Sequence, residues 1–137
     1  MHRLFVFGTL KRGFPLHERA RAGAIWLGRG TTIEAYPMFV AGRWYAPMML
    51  NEPGHGYRVM GELYEIEGPR LELIDGIKSV GRPGNFRTPA WIEPSDGGAA
   101  RRALIYMKDR ALALPIHTGC LADYQDRRFV PPEHRGT

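Results

Sequence analysis

Short apolar runs rich in β-branched and aromatic residues, each broken by Gly, Pro, Asn or Asp, dominate this chain from its first residues to about position 107. The pattern predicts strands over residues 3–7, 24–28 and 31–35, 38–41, 57–66, 86–93 and 101–107. Two segments carry helical spacing instead. The first runs over 15–22, opened by Pro15 and closed by Gly23; the second runs over 69–78, with Pro69 suited to a first turn. In the second, Leu71, Ile74 and Lys78 fall at i, i+3 and i+7, so Lys78 sets out from the apolar face. Loops at 51–56, 79–85 and 94–99 hold the residues that turns need. From 108 onward the period is lost, and with Pro131-Pro132 present the segment 108–137 reads as a loosely ordered tail packed outside a single domain spanning 1–137.

Composition narrows the class. Seventeen glycines and eleven prolines in 137 residues favour a sheet or barrel with few helices. A chain of this length buries about two-thirds of its unfolded surface without disulfides or metals. The lone Cys120 has no internal partner, which fits a reducing cytoplasm. No run approaches the ~18 apolar residues of a membrane span, and Met1-His2-Arg3 leads straight into a strand. The net charge of +5 comes from sixteen arginines and three lysines. Apart from the pairs Arg101-Arg102 and Arg127-Arg128 they are scattered, without the basic stripe and interleaved aromatics of a nucleic-acid binder. The charge reads first as a solvated basic surface and second as a general pull on small acidic ligands; no nucleic acid and no membrane are expected as partners, and an RNA-associated role is the weakest alternative. The histidines, at 2, 17, 55, 117 and 134, show no metal-ligand spacing, and no cofactor or metal is expected.

The first strand ends abruptly in Phe5-Val6-Phe7-Gly8-Thr9-Leu10-Lys11-Arg12-Gly13, leaving backbone N–H groups at its tip that can hold a carboxylate or carbonyl oxygen. A phosphate loop is excluded, because Gly13 is followed by Phe14-Pro15 instead of Lys and Ser or Thr. The segment resembles the (Tyr/Phe)-Gly-Thr-Leu-(Lys/Arg)-x-Gly signature of the gamma-glutamylcyclotransferase-like, or AIG2-like, family. Three further blocks follow in order: Glu34 to Gly42, Pro53-Gly54-His55-Gly56, and Gly61-Glu62-Leu63-Tyr64-Glu65-Ile66. They are similar to the gamma-glutamylamine cyclotransferase branch, and the likeness spans about 4–107 with a weaker echo in Asp123-Tyr124 and 128–131. It implies an α+β fold: a small mixed β-barrel of about six strands flanked by two or so helices.

The resemblance also implies a reaction. In the family the segment matching 73–79 carries a catalytic glutamate where this chain has Lys78. The glutamate takes a proton from the α-amine of a γ-glutamyl group, the amine closes a 5-oxoproline ring, and the acid returns the proton to the leaving nitrogen. A lysine with its ordinary pKa of about 10.4 is protonated and cannot do this. Lys78 is thus a base only if a dry pocket lowers its pKa; otherwise it reaches solvent, pairs with Asp75, or holds a ligand carboxylate. Glu62 and Asp75 are the candidate replacement acids, and of Glu62 and Glu65 strand parity lets only one face the interior. The resemblance gives Phe7, Gly8, Thr9 and Leu10 as substrate-binding, with Phe7 lacking the hydroxyl of the commoner tyrosine, and Phe86 and Arg87 as a pair bordering the cavity. A cavity floored by 7–10 with Lys78 at its rim is expected, for a γ-glutamyl or carboxylate ligand. A non-catalytic, ligand-binding or regulatory protein of the same fold is the alternative.

Overall fold

The computed structural model describes residues 1–136. Along the chain run β1 (His2–Val6), α1 (His17–Ala20), β2 (Ile25–Tyr36), β3 (Met38–Ala41), β4 (Ala46–Met49), β5 (Tyr57–Ile66), α2 (Gly68–Ile77), β6 (Asn85–Pro94) and β7 (Arg101–Lys108). Five strands close into a barrel in the order β1-β5-β2-β6-β7, and β3 and β4 form a separate two-stranded sheet. Closure comes where β1 meets β7 in parallel, Leu4 opposite Leu104, while the other barrel neighbours are antiparallel.

Alternation along β1 makes two cores. Phe5 and Phe7 turn into the barrel with Val59, Leu63, Ile92 and Ile105. Leu4 and Val6 turn outward against Leu71 and Ile74 of α2 and Leu16 and Ala20 beside and within α1. This second core fixes α2 against the outer wall, which is why its C-terminal end arrives at the tip of β1. The barrel is tight at Gly61, where a Cβ would lie 2.4 Å from the Val6 carbonyl oxygen and 2.6 Å from Phe5 Cζ.

Four expectations need correction. The separate strands at 24–28 and 31–35 are one strand, β2, whose register shifts at Gly28 (φ 118°) and again before Ala35; a bulge bends the ladder without ending it. The first helix is a single turn, because residues before it are used in turns that bond Phe14 N–H to Lys11 O and Leu16 N–H to Thr9 O, both at 3.0 Å. Strand β4 was not expected, since Pro47 interrupts its pattern; a two-stranded sheet tolerates it. The segment after Lys108 is irregular, yet it is not an outer tail. Tyr124 is fully buried in the barrel core, and the strap is pinned by His117 N–H to Val40 O (2.8 Å), Leu121 N–H to Met38 O (2.7 Å) and Met60 N–H to Ala122 O (2.8 Å). These bonds have no fixed period, so the sequence pattern did not show them.

Candidate active site

The tip of β1 is a tight turn in which Lys11 N–H donates to Gly8 O at 3.0 Å and Leu16 N–H to Thr9 O at 3.0 Å. Gly8 is required by a close approach: a Cβ there would lie 2.5 Å from Pro47 Cγ, so strand β4 seats directly over the turn. Gly8, Thr9 and Leu10 are buried, and among the described residues their main-chain N–H groups donate to no acceptor. N–H groups without partners are uncommon in buried segments, and Gly8 and Leu10 line a pocket.

The other wall is the end of α2. Val80 N–H donates to Asp75 O (2.9 Å) and Ser79 N–H to Gly76 O (3.2 Å), with Ser79 in the left-handed region at φ 58°. This is the Schellman arrangement, made with serine where glycine is usual. It holds Lys78 at the helix terminus, from which Lys78 Nζ donates to Thr9 Oγ1 at 3.2 Å. Ser79→Gly removes the side-chain cost of that backbone and is expected to raise stability by about 0.5–1 kcal/mol, read from urea unfolding midpoints. An unchanged or lower midpoint would contradict this.

Between these walls lies a small pocket of about 30 Å³, lined by Phe7, Gly8, Leu10, Lys78, Phe86, Tyr106 and Lys108 among others. That holds little more than one water-sized group. It shares Pro47, Met48, Lys78 and Lys108 with an outer groove of about 330 Å³, where Thr9, Arg43, Trp44 and Arg135 also contribute. Among the described residues, no aspartate or glutamate lines either space. Lys108 Nζ donates to Asn85 Oδ1. Burial, with the charge of Lys108 added, pushes the Lys78 ammonium down to about 8, and burial alone lowers Lys108.

The residues singled out from the sequence divide accordingly. Phe7, Gly8, Leu10, Lys78 and Phe86 meet at the inner pocket, and Thr9 joins them through its bond to Lys78. Arg87 does not: as the neighbour of Phe86 on a strand it points the other way, and its Nε donates to Asp75 Oδ1 at 3.0 Å. Asp75 also accepts from Tyr106 Oη at 2.7 Å, and so is not the partner of Lys78. That bond and burial raise the Tyr106 hydroxyl well above its ordinary value, burial being the larger cause. Glu62 lies on the outer face with Tyr64, accepting from Arg12 N–H (2.9 Å) and Tyr64 Oη (3.1 Å), and lines a different groove. Neither carboxylate faces the pocket, so the two replacement acids read from the sequence have structural partners instead. Sequence reasoning missed Pro47, Tyr106 and Lys108. Only Lys108 left a signal, as one of three lysines in an arginine-rich chain.

The profile of the family described as gamma-glutamyl cyclotransferase, AIG2-like, matches residues 4–125, most of the barrel and both walls of the pocket. The chain belongs to the gamma-glutamylcyclotransferase-like family. The gamma-glutamylaminecyclotransferase of Mus musculus is 32% identical over 151 residues, covering 98% of this chain and all of the relative. That of Bos taurus is 42% identical over 80 residues, a match that spans about half of the relative's length, 48%. In three dimensions the chain is similar to the crystal structure of an AIG2-like protein from Mus musculus, with a TM-score of 0.83, 29% identity and coverage of 98% of this chain and 99% of that one. Among the described residues of this family member, no helix is long and apolar enough to cross a membrane, and no group of His, Cys, Asp and Glu could hold a metal ion.

Proposed function

We propose that this chain cyclises γ-glutamyl amines or related small amides to 5-oxoproline, slowly at neutral pH, with neutral Lys78 as the proton acceptor. In this reading the substrate α-amine attacks the γ-carbonyl carbon and a new C–N bond closes the five-membered ring. Lys78 Nζ takes the proton lost by the attacking nitrogen and delivers it to the departing amine as the old C–N bond breaks. The N–H groups of the Gly8–Leu10 turn, unpartnered among the described residues, are the donors this reading assigns to the charge that develops on the carbonyl oxygen. The names of the bovine and mouse relatives support the substrate class. The lone exposed Cys120 suits a reducing compartment such as the cytoplasm.

One observation carries the reading: Lys78 Nζ lies at the pocket, held by Thr9, where desolvation lowers its pKa to about 8. At pH 7 about a tenth of it is then neutral, against a negligible fraction of an ordinary lysine. Initial rates of 5-oxoproline release from a panel of γ-glutamyl amines and dipeptides are expected to rise with pH through about 8 and to vanish in Lys78→Met. Turnover that survives Lys78→Met would reject the lysine as base. The lack of any carboxylate in the pocket lining favours a second reading, a binding or regulatory protein that has kept the fold and lost the base. For that reading the panel yields no 5-oxoproline at any pH.

A further inference from the structure

We propose that at neutral pH this site selects short dicarboxylates that lack an amino group, of the size of glutarate, over the corresponding amino acids. The proposal deepens the reading of the same pocket and rests on it for the site, though not for the ligand. Its warrant is the inventory of polar groups. Lys78 uses one of three ammonium hydrogens on Thr9, and Lys108 uses one on Asn85, so each keeps two to offer. The turn at Gly8–Leu10 adds donors, and no acidic side chain is present to receive a ligand cation. The carboxylate that touches a pocket residue, Asp75, is occupied by Tyr106 and Arg87.

An α-ammonium entering this space would find two lysines and no counter-charge. A carboxylate would find the two ammonium groups and the donors of the turn. The outer groove extends the same sign: Arg43 and Arg135 lie over the Trp44 ring, at 4.6 and 5.1 Å from its centroid, and the groove lining again holds no acid. In this proposal one carboxylate of a short chain sits on Lys78 and Lys108, which line both spaces, and the other is drawn to Arg43 and Arg135 of the groove. Such a ligand would exclude γ-glutamyl amines from the pocket.

The test compares a near-isosteric pair that differs by the amino group. Titration calorimetry at pH 7 with glutarate, L-glutamate and, as a single-carboxylate control, acetate is expected to give glutarate at least about tenfold tighter than either. Lys108→Met should weaken glutarate about tenfold, while Lys108→Arg, which keeps the charge, should restore most of it. Equal affinity for glutarate and glutamate would overturn the proposal, as would equal competition by acetate, or glutarate binding untouched by Lys108→Met. Binding needs no turnover, so the two readings fail separately. Glutarate binding without any 5-oxoproline formation rejects the cyclisation alone; 5-oxoproline formation with no preference for glutarate rejects this inference alone.

Discussion

Lys78→Glu is expected to raise 5-oxoproline formation from γ-glutamyl amines by at least about tenfold at pH 7, because a carboxylate is ionised throughout at that pH while only about a tenth of Lys78 is neutral. The substitution puts a carboxylate at the position where the sequence resemblance implies the family's glutamate. The surroundings suit it. The Thr9 hydroxyl, which now accepts from Lys78, can turn and donate to the new carboxylate, and Lys108 supplies a cation that keeps it ionised. Loss of the Lys78 charge also removes repulsion of the substrate ammonium. Lys78→Gln is the matched control: glutamine has the size of glutamate and no useful basicity, so its activity should stay at or below that of the wild type. A folded Lys78→Glu protein that binds substrate and makes no 5-oxoproline would place the departure from the family elsewhere, with Phe7 and residues 81–87 the first to examine.

The second large effect is on stability. Lys78→Met is expected to stabilise the fold at pH 7 by on the order of 2 kcal/mol, a figure already reduced for the partial exposure of the residue. The folded-state pKa of Lys78, about 8, lies below its ordinary 10.5, so the folded state resists protonation and carries the whole penalty below pH 8. Between pH 8 and 10.5 the unfolded chain binds the extra proton, and wild-type stability gains as pH rises through that window. Urea midpoints of the two proteins should therefore differ most at pH 7 and converge by about pH 10. A Lys78→Met protein less stable than the wild type at pH 7 would mean that the bond to Thr9 outweighs desolvation.

How much of this was legible in the sequence depends on how far apart the cooperating residues lie. The turn at Phe7–Leu10 and the inward start of Lys78 follow from local patterns, a strand broken at glycine and the 71, 74, 78 spacing on one helix. Both stand in the structure where the spacing puts them. Pro47, Tyr106 and Lys108 reach the same pocket from strands far along the chain, and no local period announces a long-range closure. Pairing Phe86 with Arg87 as joint lining overlooked the two-residue period of a strand, which sends neighbours to opposite faces. Glu62 shows the complementary lesson. Parity allowed only one of Glu62 and Glu65 to face the barrel interior, yet Glu62 is buried on the other face, where the loop at Arg12 and the Tyr64 hydroxyl cover it. The strap after Lys108 was opaque because its anchors, Tyr124 above all, are single contacts without a repeat.

The central claim is that the Lys78 amine is desolvated inside the pocket and so titrates near neutrality. With three lysines in the chain, their side-chain NMR signals can be followed individually against pH and assigned through Lys78→Met. A Lys78 midpoint of about 8 is expected, shifting upward when Lys108 is replaced by methionine and its charge is removed. A midpoint above 10, unmoved by that replacement, would contradict it.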